Sequence, residues 1–132
     1  MVYQKNKKVV FTTSIVVDEL NIQIEIDPED VSIDEHLEMV NRVIDNYSLY
    51  EDMARKKIIE DFLSQYDNIW VDEDHTELNQ ADFAKNLSVK RISFLSNTGI
   101  DFIYDEKRMF GFHSLVAHSF DGEKFEYTSM LG

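Results

Sequence analysis

The stretch LNIQIEIDPEDVSIDE, residues 20–35, changes from the period of a strand to the period of a helix. Leucine and isoleucine at positions 20, 22, 24 and 26 alternate with polar residues, which predicts a strand with one buried face and one wet face. Pro28 ends this alternation, and Ser32 followed by Glu35 forms a capping box, the usual start of a helix. We therefore predict a strand that leads into a helical segment.

The flanking sequence extends this pattern in both directions. Upstream, apolar residues alternate over 9–17, and a turn at Asp18-Glu19 joins them to the second strand as a hairpin. Downstream, helical stripes run to about residue 66, a short third helix covers 79–87, and four strands follow from residue 89. We predict a single α+β domain over residues 1–132. Its antiparallel sheet combines the N-terminal hairpin with four C-terminal strands, and two to three helices pack on one face.

The aromatic residues suggest how the helices and the last strands meet. A long strand is predicted over residues 110–120, in which Phe110, Phe112, Val116 and Phe120 share one face. We expect this set to line the core between sheet and helices, together with Phe62 and Trp70. An Asp121-Gly122 turn is expected to lead from this strand into the last one, at residues 125–127.

Composition narrows the class of protein. The chain has no cysteine, which excludes disulfides, thiolate metal sites and a cysteine nucleophile. It has no uninterrupted apolar run of membrane-spanning length and no signal-peptide cleavage site, so we expect a cytoplasmic protein that does not enter a membrane. Its 26 acidic residues outnumber its 13 basic ones, for a formal net charge of −13. Such a field repels nucleic acid and attracts basic partners.

The acidic residues are unevenly distributed along the chain. Residues 9–41 contain no lysine or arginine, and a second acidic cluster follows the single tryptophan. We expect a basic protein partner to bind these two regions, at Glu29, Asp30, Asp34, Asp72, Glu73, Asp74 and Glu77. The alternative is that the charge only keeps the protein in solution.

No motif specifies a reaction. The histidines lack the HxH or HExxH spacing of a metal site, and no cofactor-binding motif is present, so we expect neither a metal nor a cofactor. His113 and Ser114 fall on opposite faces of the predicted strand, as do His113 and His118. His113 is therefore either a hydrogen-bonded structural residue or, in a small hydrolase-like enzyme, a functional residue acting with Asp105 or Asp101. A regulatory module that binds a peptide at the sheet edge is a further alternative.

A pattern of aromatic, acidic, histidine, serine and glycine residues runs through residues 69–132: Trp70, Phe83, Asp105, Phe110, His113, Ser114, Asp121, Gly122 and Gly132. In this pattern the stretch resembles DUF2262, a bacterial family of unknown function. The chain departs from the family pattern at Phe110-Gly111-Phe112-His113, where the glycine and the second aromatic residue are exchanged. The resemblance implies the context of small bacterial domains that are similar to immunity proteins accompanying secreted toxins. Together with the acidic charge, it leads us to expect a cytoplasmic immunity protein that neutralises a cognate basic toxin by direct binding.

Overall fold

A computed structural model describes residues 11–27, 32–66, 79–95, 99–107, 109–110 and 113–131. Two strands come first, then three helices, then four strands. Their bounds are β1 Phe11–Val17, β2 Leu20–Asp27, α1 Ile33–Asp45, α2 Tyr47–Gln65, α3 Gln80–Lys85, β3 Ser88–Leu95, β4 Gly99–Asp105, β5 Ser114–Ser119 and β6 Tyr127–Leu131. The predicted α+β class and the predicted order of elements are both confirmed.

The described strands form one sheet in the order β1-β2-β3-β4-β5-β6. Four of its five ladders are antiparallel, as predicted, but β2 and β3 pair in parallel, with Ile24 opposite Ile92. The prediction of a wholly antiparallel sheet is wrong at this one ladder. The helical segment is the reason, because it carries the chain back across one face, so that β3 begins at the same end of the sheet as β2.

The first turn and the helix starts follow local chemistry. Asp18 and Glu19 both have positive φ, 49° and 69°, which is the conformation of a two-residue hairpin turn that matches the twist of its strands. At the start of α1 the Ser32 side chain accepts a hydrogen bond from the Glu35 amide at 3.2 Å, so this half of the predicted capping box is present. Asn79 caps α3 in the same way, accepting from the Asp82 amide at 2.8 Å.

All three helices pack on one face of the sheet. The buried cluster between them joins strand residues to helix residues; its members include Ile22, Ile24, Ile92, Phe94, Phe102, Leu115, Ala117, Val43, Ala54, Ile58, Phe62 and Phe83. Phe62 is only 6% exposed, as expected, whereas Trp70 lies outside the described residues. No helix in the described ranges is long and apolar enough to cross a membrane.

The strand predicted over 110–120 is shorter in the structure, and its side chains are distributed differently between the core face and the opposite face of the sheet. Phe110 lies in a turn, where its amide donates to the Glu106 carboxylate, and β5 begins at Ser114. Phe110 does join the core, but Val116 lies on the other face of the sheet and Phe120 is 64% exposed. The expectation that this set lines one core face is therefore wrong for Val116 and Phe120. Leu115 and Ala117 take that place. Phe112, also expected there, lies outside the described residues.

The last strand is also displaced from its predicted position. A strand was expected around residues 125–127, but β6 covers Tyr127–Leu131. Phe125 is buried without being part of the ladder, and its ring packs edge-on against Phe102 at 5.4 Å. The expected turn at Asp121-Gly122 is present, with Gly122 at φ 75°, a conformation that favours glycine.

Candidate binding face

The distal face is the side of the sheet turned away from the helices, and on β4, β5 and β6 it carries a continuous hydrogen-bonded network. His118 of β5 is paired in register with Asp101 of β4, and their side chains meet with Nδ1 and Oδ1 at 2.7 Å. The other ring nitrogen, Nε2, lies 2.7 Å from the Ser129 hydroxyl oxygen on β6. Three neighbouring strands are thus linked by one chain of polar side chains.

The chemistry of the carboxylate determines the direction of these bonds. An ionised aspartate can only accept, so Nδ1 of His118 donates to Asp101. The opposite nitrogen of a neutral imidazole then accepts from the Ser129 hydroxyl. Both nitrogens are therefore occupied, and the ring of His118 is fixed in orientation.

Two exposed aromatic rings continue from this network towards the end of the sheet. The Phe120 ring stacks on the His118 ring, with centroids 6.2 Å apart and planes inclined by 2°. Tyr127 lies against Phe120 at 5.1 Å, tilted by 58°. Phe120 and Tyr127 remain 64% and 56% exposed, which is unusual for adjacent large aromatic residues.

The turn that joins these two rings is held by an aspartate. Oδ1 of Asp121 accepts hydrogen bonds from the amides of Glu123 and Lys124 at 2.8 and 2.9 Å and from the Ser119 hydroxyl at 3.3 Å. The two amide hydrogen bonds, that of Lys124 foremost, lower the pKa of Asp121 below its usual value. The carboxylate is therefore ionised at neutral pH, and three hydrogen bonds hold the turn around it.

A cleft opens between the aromatic rings and this turn. It has a volume of about 210 Å³ and is lined by Phe120, Asp121, Lys124, Glu126 and Tyr127. We call these five residues the aromatic cleft. A larger cleft of about 490 Å³ lies where α1 meets α2, next to Val17 and Leu49. Of these two clefts, only the aromatic cleft is lined by exposed aromatic rings together with an aspartate whose carboxylate is held by hydrogen bonds.

The predicted partner-binding residues are mostly outside the described ranges. Asp34 is described, and it is exposed in the first turn of α1, where a negative charge suits the helix dipole. The others, Glu29, Asp30, Asp72, Glu73, Asp74 and Glu77, lie outside the described residues. Their grouping with Asp34 on one surface stays a prediction.

His113, for which the sequence leaves a structural and a functional role open, has a local hydrogen bond. Nδ1 of His113 lies 2.6 Å from the Phe110 carbonyl oxygen. Asp105, its suggested partner, accepts from the Lys107 amide at 3.4 Å, and Asp101 is bonded to His118 instead. The structure therefore places Asp101 in a hydrogen-bonded histidine–aspartate pair, but with His118, the other histidine of this region.

The network of Asp101, His118 and Ser129 was not predicted from the sequence. Alternation alone places Asp101 on the face opposite Ile100 and Phe102, and His118 on the face opposite Ala117. That signal puts both polar residues on the distal face, yet their meeting depends on the register between β4 and β5. The described residues contain no group of three or more side chains suited to bind a metal ion.

Comparison with known proteins identifies one family. No curated protein and no solved structure matches the chain. The family model described as "Uncharacterized protein conserved in bacteria (DUF2262)" matches residues 3–128. The match therefore includes the N-terminal hairpin and the helices, and is not limited to residues 69–132, which carry the resemblance described above. Because it spans most of the chain, this protein belongs to the DUF2262 family.

Proposed function

We propose that this protein is an acidic, cytoplasmic binding protein, an immunity protein that neutralises a cognate basic toxin by direct contact. The observation that carries the proposal is the exposed pair Phe120 and Tyr127, set beside carboxylates on a chain of net charge −13. Aromatic residues are the usual energetic anchors of protein interfaces, and a single-sign field accelerates the approach of an oppositely charged partner.

Three further features support a binding role. Tyr127 is the first residue of β6, an edge strand of the described sheet, and Phe120 packs against it. A partner can approach these rings without displacing a helix. Glu123 and Glu126 are exposed near them and can form a polar rim. The resemblance that connects this kind of bacterial domain with immunity proteins supplies the class of partner, a toxin domain with a basic surface.

Co-expression tests this proposal directly. The probe is the basic C-terminal domain of a secreted protein encoded next to this chain, expressed from an inducible promoter in a bacterial host. We expect the wild-type chain to restore growth and the double variant Phe120→Ala/Tyr127→Ala to lose protection. Phe11→Ala is the matched control, because Phe11 is a 46% exposed aromatic residue on β1, at the opposite edge of the sheet.

The outcome separates the proposal from its alternatives. Growth restored equally by the wild-type chain and by Phe11→Ala, but not by the double variant, supports the proposal. A wild-type chain that neither protects the host nor binds the purified domain would overturn it. Circular dichroism of each variant shows whether a loss of protection comes from unfolding.

A second candidate function is hydrolysis at Ser129, and the geometry of the distal-face network favours it. Ser129, His118 and Asp101 have the order and the 2.7 Å contacts of a nucleophile, a base and a residue that orients the base. In such a step the Ser129 oxygen attacks an acyl carbon and its proton moves to Nε2 of His118. The proton then passes to the leaving group, and water hydrolyses the acyl-enzyme.

A fluorophosphonate probe tests this candidate. Labelling of the wild-type chain that is lost in Ser129→Ala and His118→Ala, and kept in Ser114→Ala, would support it. Ser114 is a suitable control because it lies on the same face of the sheet as Ser129, on β5, where it is paired with Leu131 of β6. Ser129 lies within the ladder and does not line the aromatic cleft, which is why binding is the primary proposal.

A further inference from the structure

We propose that the aromatic cleft receives the guanidinium group of an arginine side chain on the basic partner. This inference rests on the proposed binding function and names the group that is recognised. The five lining residues are Phe120, Asp121, Lys124, Glu126 and Tyr127, and the volume of about 210 Å³ suits one long side chain rather than a folded segment.

The arrangement of the rings favours a flat cation. Phe120 and Tyr127 lie 5.1 Å apart with their planes tilted by 58°, so they present two aromatic surfaces at an angle. A cation within about 6 Å of a ring face is attracted by the electrons of that face. Arginine is preferred over lysine at such a site because its guanidinium is planar, stacks on rings and is more weakly hydrated.

The cleft is organised before any ligand arrives. The Phe120 ring rests on the His118 ring, which is held at both nitrogens by Asp101 and Ser129. The turn behind it is attached to the helices, since the Tyr50 hydroxyl donates to the Gly122 carbonyl at 3.4 Å. A site built this way loses little conformational freedom when it binds, which leaves more of the contact energy for affinity.

The charges of the lining also select a cation. Asp121 and Glu126 contribute two carboxylates, and Lys124 contributes one ammonium group. The hydrogen bonds that hold the turn fall on Oδ1 of Asp121. Glu126 is exposed, and its carboxylate can form the paired hydrogen bonds that suit a guanidinium. The positive charge of Lys124 repels a cationic ligand. Removing that charge should therefore raise the affinity, whereas removing a carboxylate should lower it.

Titration followed by NMR measures this recognition on the full chain. The probe is N-acetyl-arginine amide, added to the 15N-labelled protein, with N-acetyl-citrulline amide as the neutral ligand of the same shape. We expect amide shifts over residues 118–127 with the arginine compound and none with the citrulline compound. N-acetyl-lysine amide should bind more weakly than the arginine compound, because its ammonium group does not stack on rings and is more strongly hydrated.

Variants locate the effect. Phe120→Ala and Tyr127→Ala should each weaken binding by roughly twofold to fivefold, the effect of an exposed cation–aromatic contact. Glu126→Gln should weaken it as well, and Lys124→Gln should strengthen it, because that change removes a like charge. Phe11→Ala should leave the affinity unchanged. Equal shifts with citrulline, or an affinity that ignores Phe120 and Tyr127, would overturn the inference.

The failure of this inference can be distinguished from the failure of the proposed function. If the basic domain binds the wild-type chain and the Phe120→Ala/Tyr127→Ala variant equally well, the cleft has no part in binding, whereas the immunity function stands. If the arginine probe binds the cleft but no basic domain protects or binds, the cleft is a cation site and the immunity function is wrong.

Discussion

His36 is a fully buried histidine in α1, and neither of its ring nitrogens has a hydrogen-bond partner among the residues that the structure describes. Burial lowers its pKa below the usual 6.5, and the negative charge of Asp27 opposes this only in part. The folded protein therefore keeps this ring neutral to a lower pH than the unfolded chain does. Below about pH 6.5 the unfolded chain binds a proton that the folded chain does not, so stability falls on acidification.

Replacing His36 with leucine should raise stability. The change removes two unpaired polar atoms, and we expect the free energy of unfolding to rise by roughly 1–3 kcal/mol. The variant should also lose part of the decrease in stability that begins as the pH falls through 6.5. Urea denaturation at pH 7.5 and 5.5 measures both effects. If the free energy of unfolding falls between pH 7.5 and 5.5 by the same amount in the variant and in the wild type, a group other than His36 is responsible for the pH dependence.

Arg55 connects α2 to the end of α3 and to the segment between α3 and β3. Its Nη1 donates to the carbonyls of Ala84 and Leu87 at 2.8 and 3.2 Å, and its Nε lies 2.9 Å from the Glu51 carboxylate. Glu51 also accepts from the Tyr104 hydroxyl at 2.8 Å. Burial, with the charge of Glu51 next, raises the pKa of Tyr104 well above its usual value, so Tyr104 remains a donor at neutral pH.

Arg55→Lys should therefore be destabilising although the charge is kept. A lysine cannot reproduce the fork that bonds two carbonyls and a carboxylate at once, and we expect a loss of roughly 1.5–3 kcal/mol. Lys56→Ala is the control, because Lys56 pairs with Asp52 on the exposed surface and should change stability by less than about 1 kcal/mol. Equal losses in the two variants, measured by urea denaturation, would contradict this role of Arg55.

At the scale of the elements, α2 is the helix that contributes most to the buried cluster. Its buried side chains are Tyr50, Ala54, Ile58, Ile59 and Phe62. The Phe62 ring meets Phe110 edge-on at 5.8 Å, so one side chain joins the helix to the turn before β5. This contact links two parts of the core that are far apart in the sequence.

Phe62→Ala should destabilise the protein strongly. Removal of a buried phenylalanine leaves a cavity, and we expect a loss of roughly 3–5 kcal/mol in the free energy of unfolding. Leu49→Ala, at an exposed position of the same helix, should cost far less. A loss below about 1 kcal/mol for Phe62→Ala would show that the packing of α2 is different.

The elements could largely be predicted because hydrophobic period is a local property of the sequence. The alternation of Ile22 and Ile24 and the cap at Ser32 each act over a few residues. The parallel ladder between β2 and β3 could not be predicted in this way, since it depends on the path of the helices. The contact of His118 with Asp101 depends on strand register, which residue pattern alone does not determine.

At the scale of the whole molecule, the net charge of −13 is the property most relevant to a partner. Exposed charges act mainly on the rate of association, and salt limits their reach to about 10 Å at 0.1 M. The acidic residues lie on different parts of the molecule, since Asp34 is on α1 whereas the aromatic cleft lies beside β6. The effect of charge substitutions on the association rate therefore tests where the partner binds.

Replacing Asp72, Glu73 and Asp74 together with asparagine or glutamine should slow association with the basic domain. We expect the difference from wild type to be large at low salt and to shrink as salt is added, because screening weakens long-range attraction. Stopped-flow measurements over a range of salt concentrations provide the rates. Rates that are insensitive to both the substitutions and the salt would mean that the charge only keeps the protein in solution.

The parallel ladder between β2 and β3 has a consequence for how the chain reaches this fold. The other ladders join strands that are neighbours in the sequence, whereas this one joins strands on either side of the helical segment. Closing the longer loop costs more entropy, so we expect the β1–β2 hairpin to dock last, and hydrogen exchange during refolding would show its amides protected last. Until the hairpin docks, this edge of β3 has no strand paired with it. At high concentration a hairpin from a second copy can occupy that edge, and the expected by-product of refolding is a dimer with exchanged hairpins.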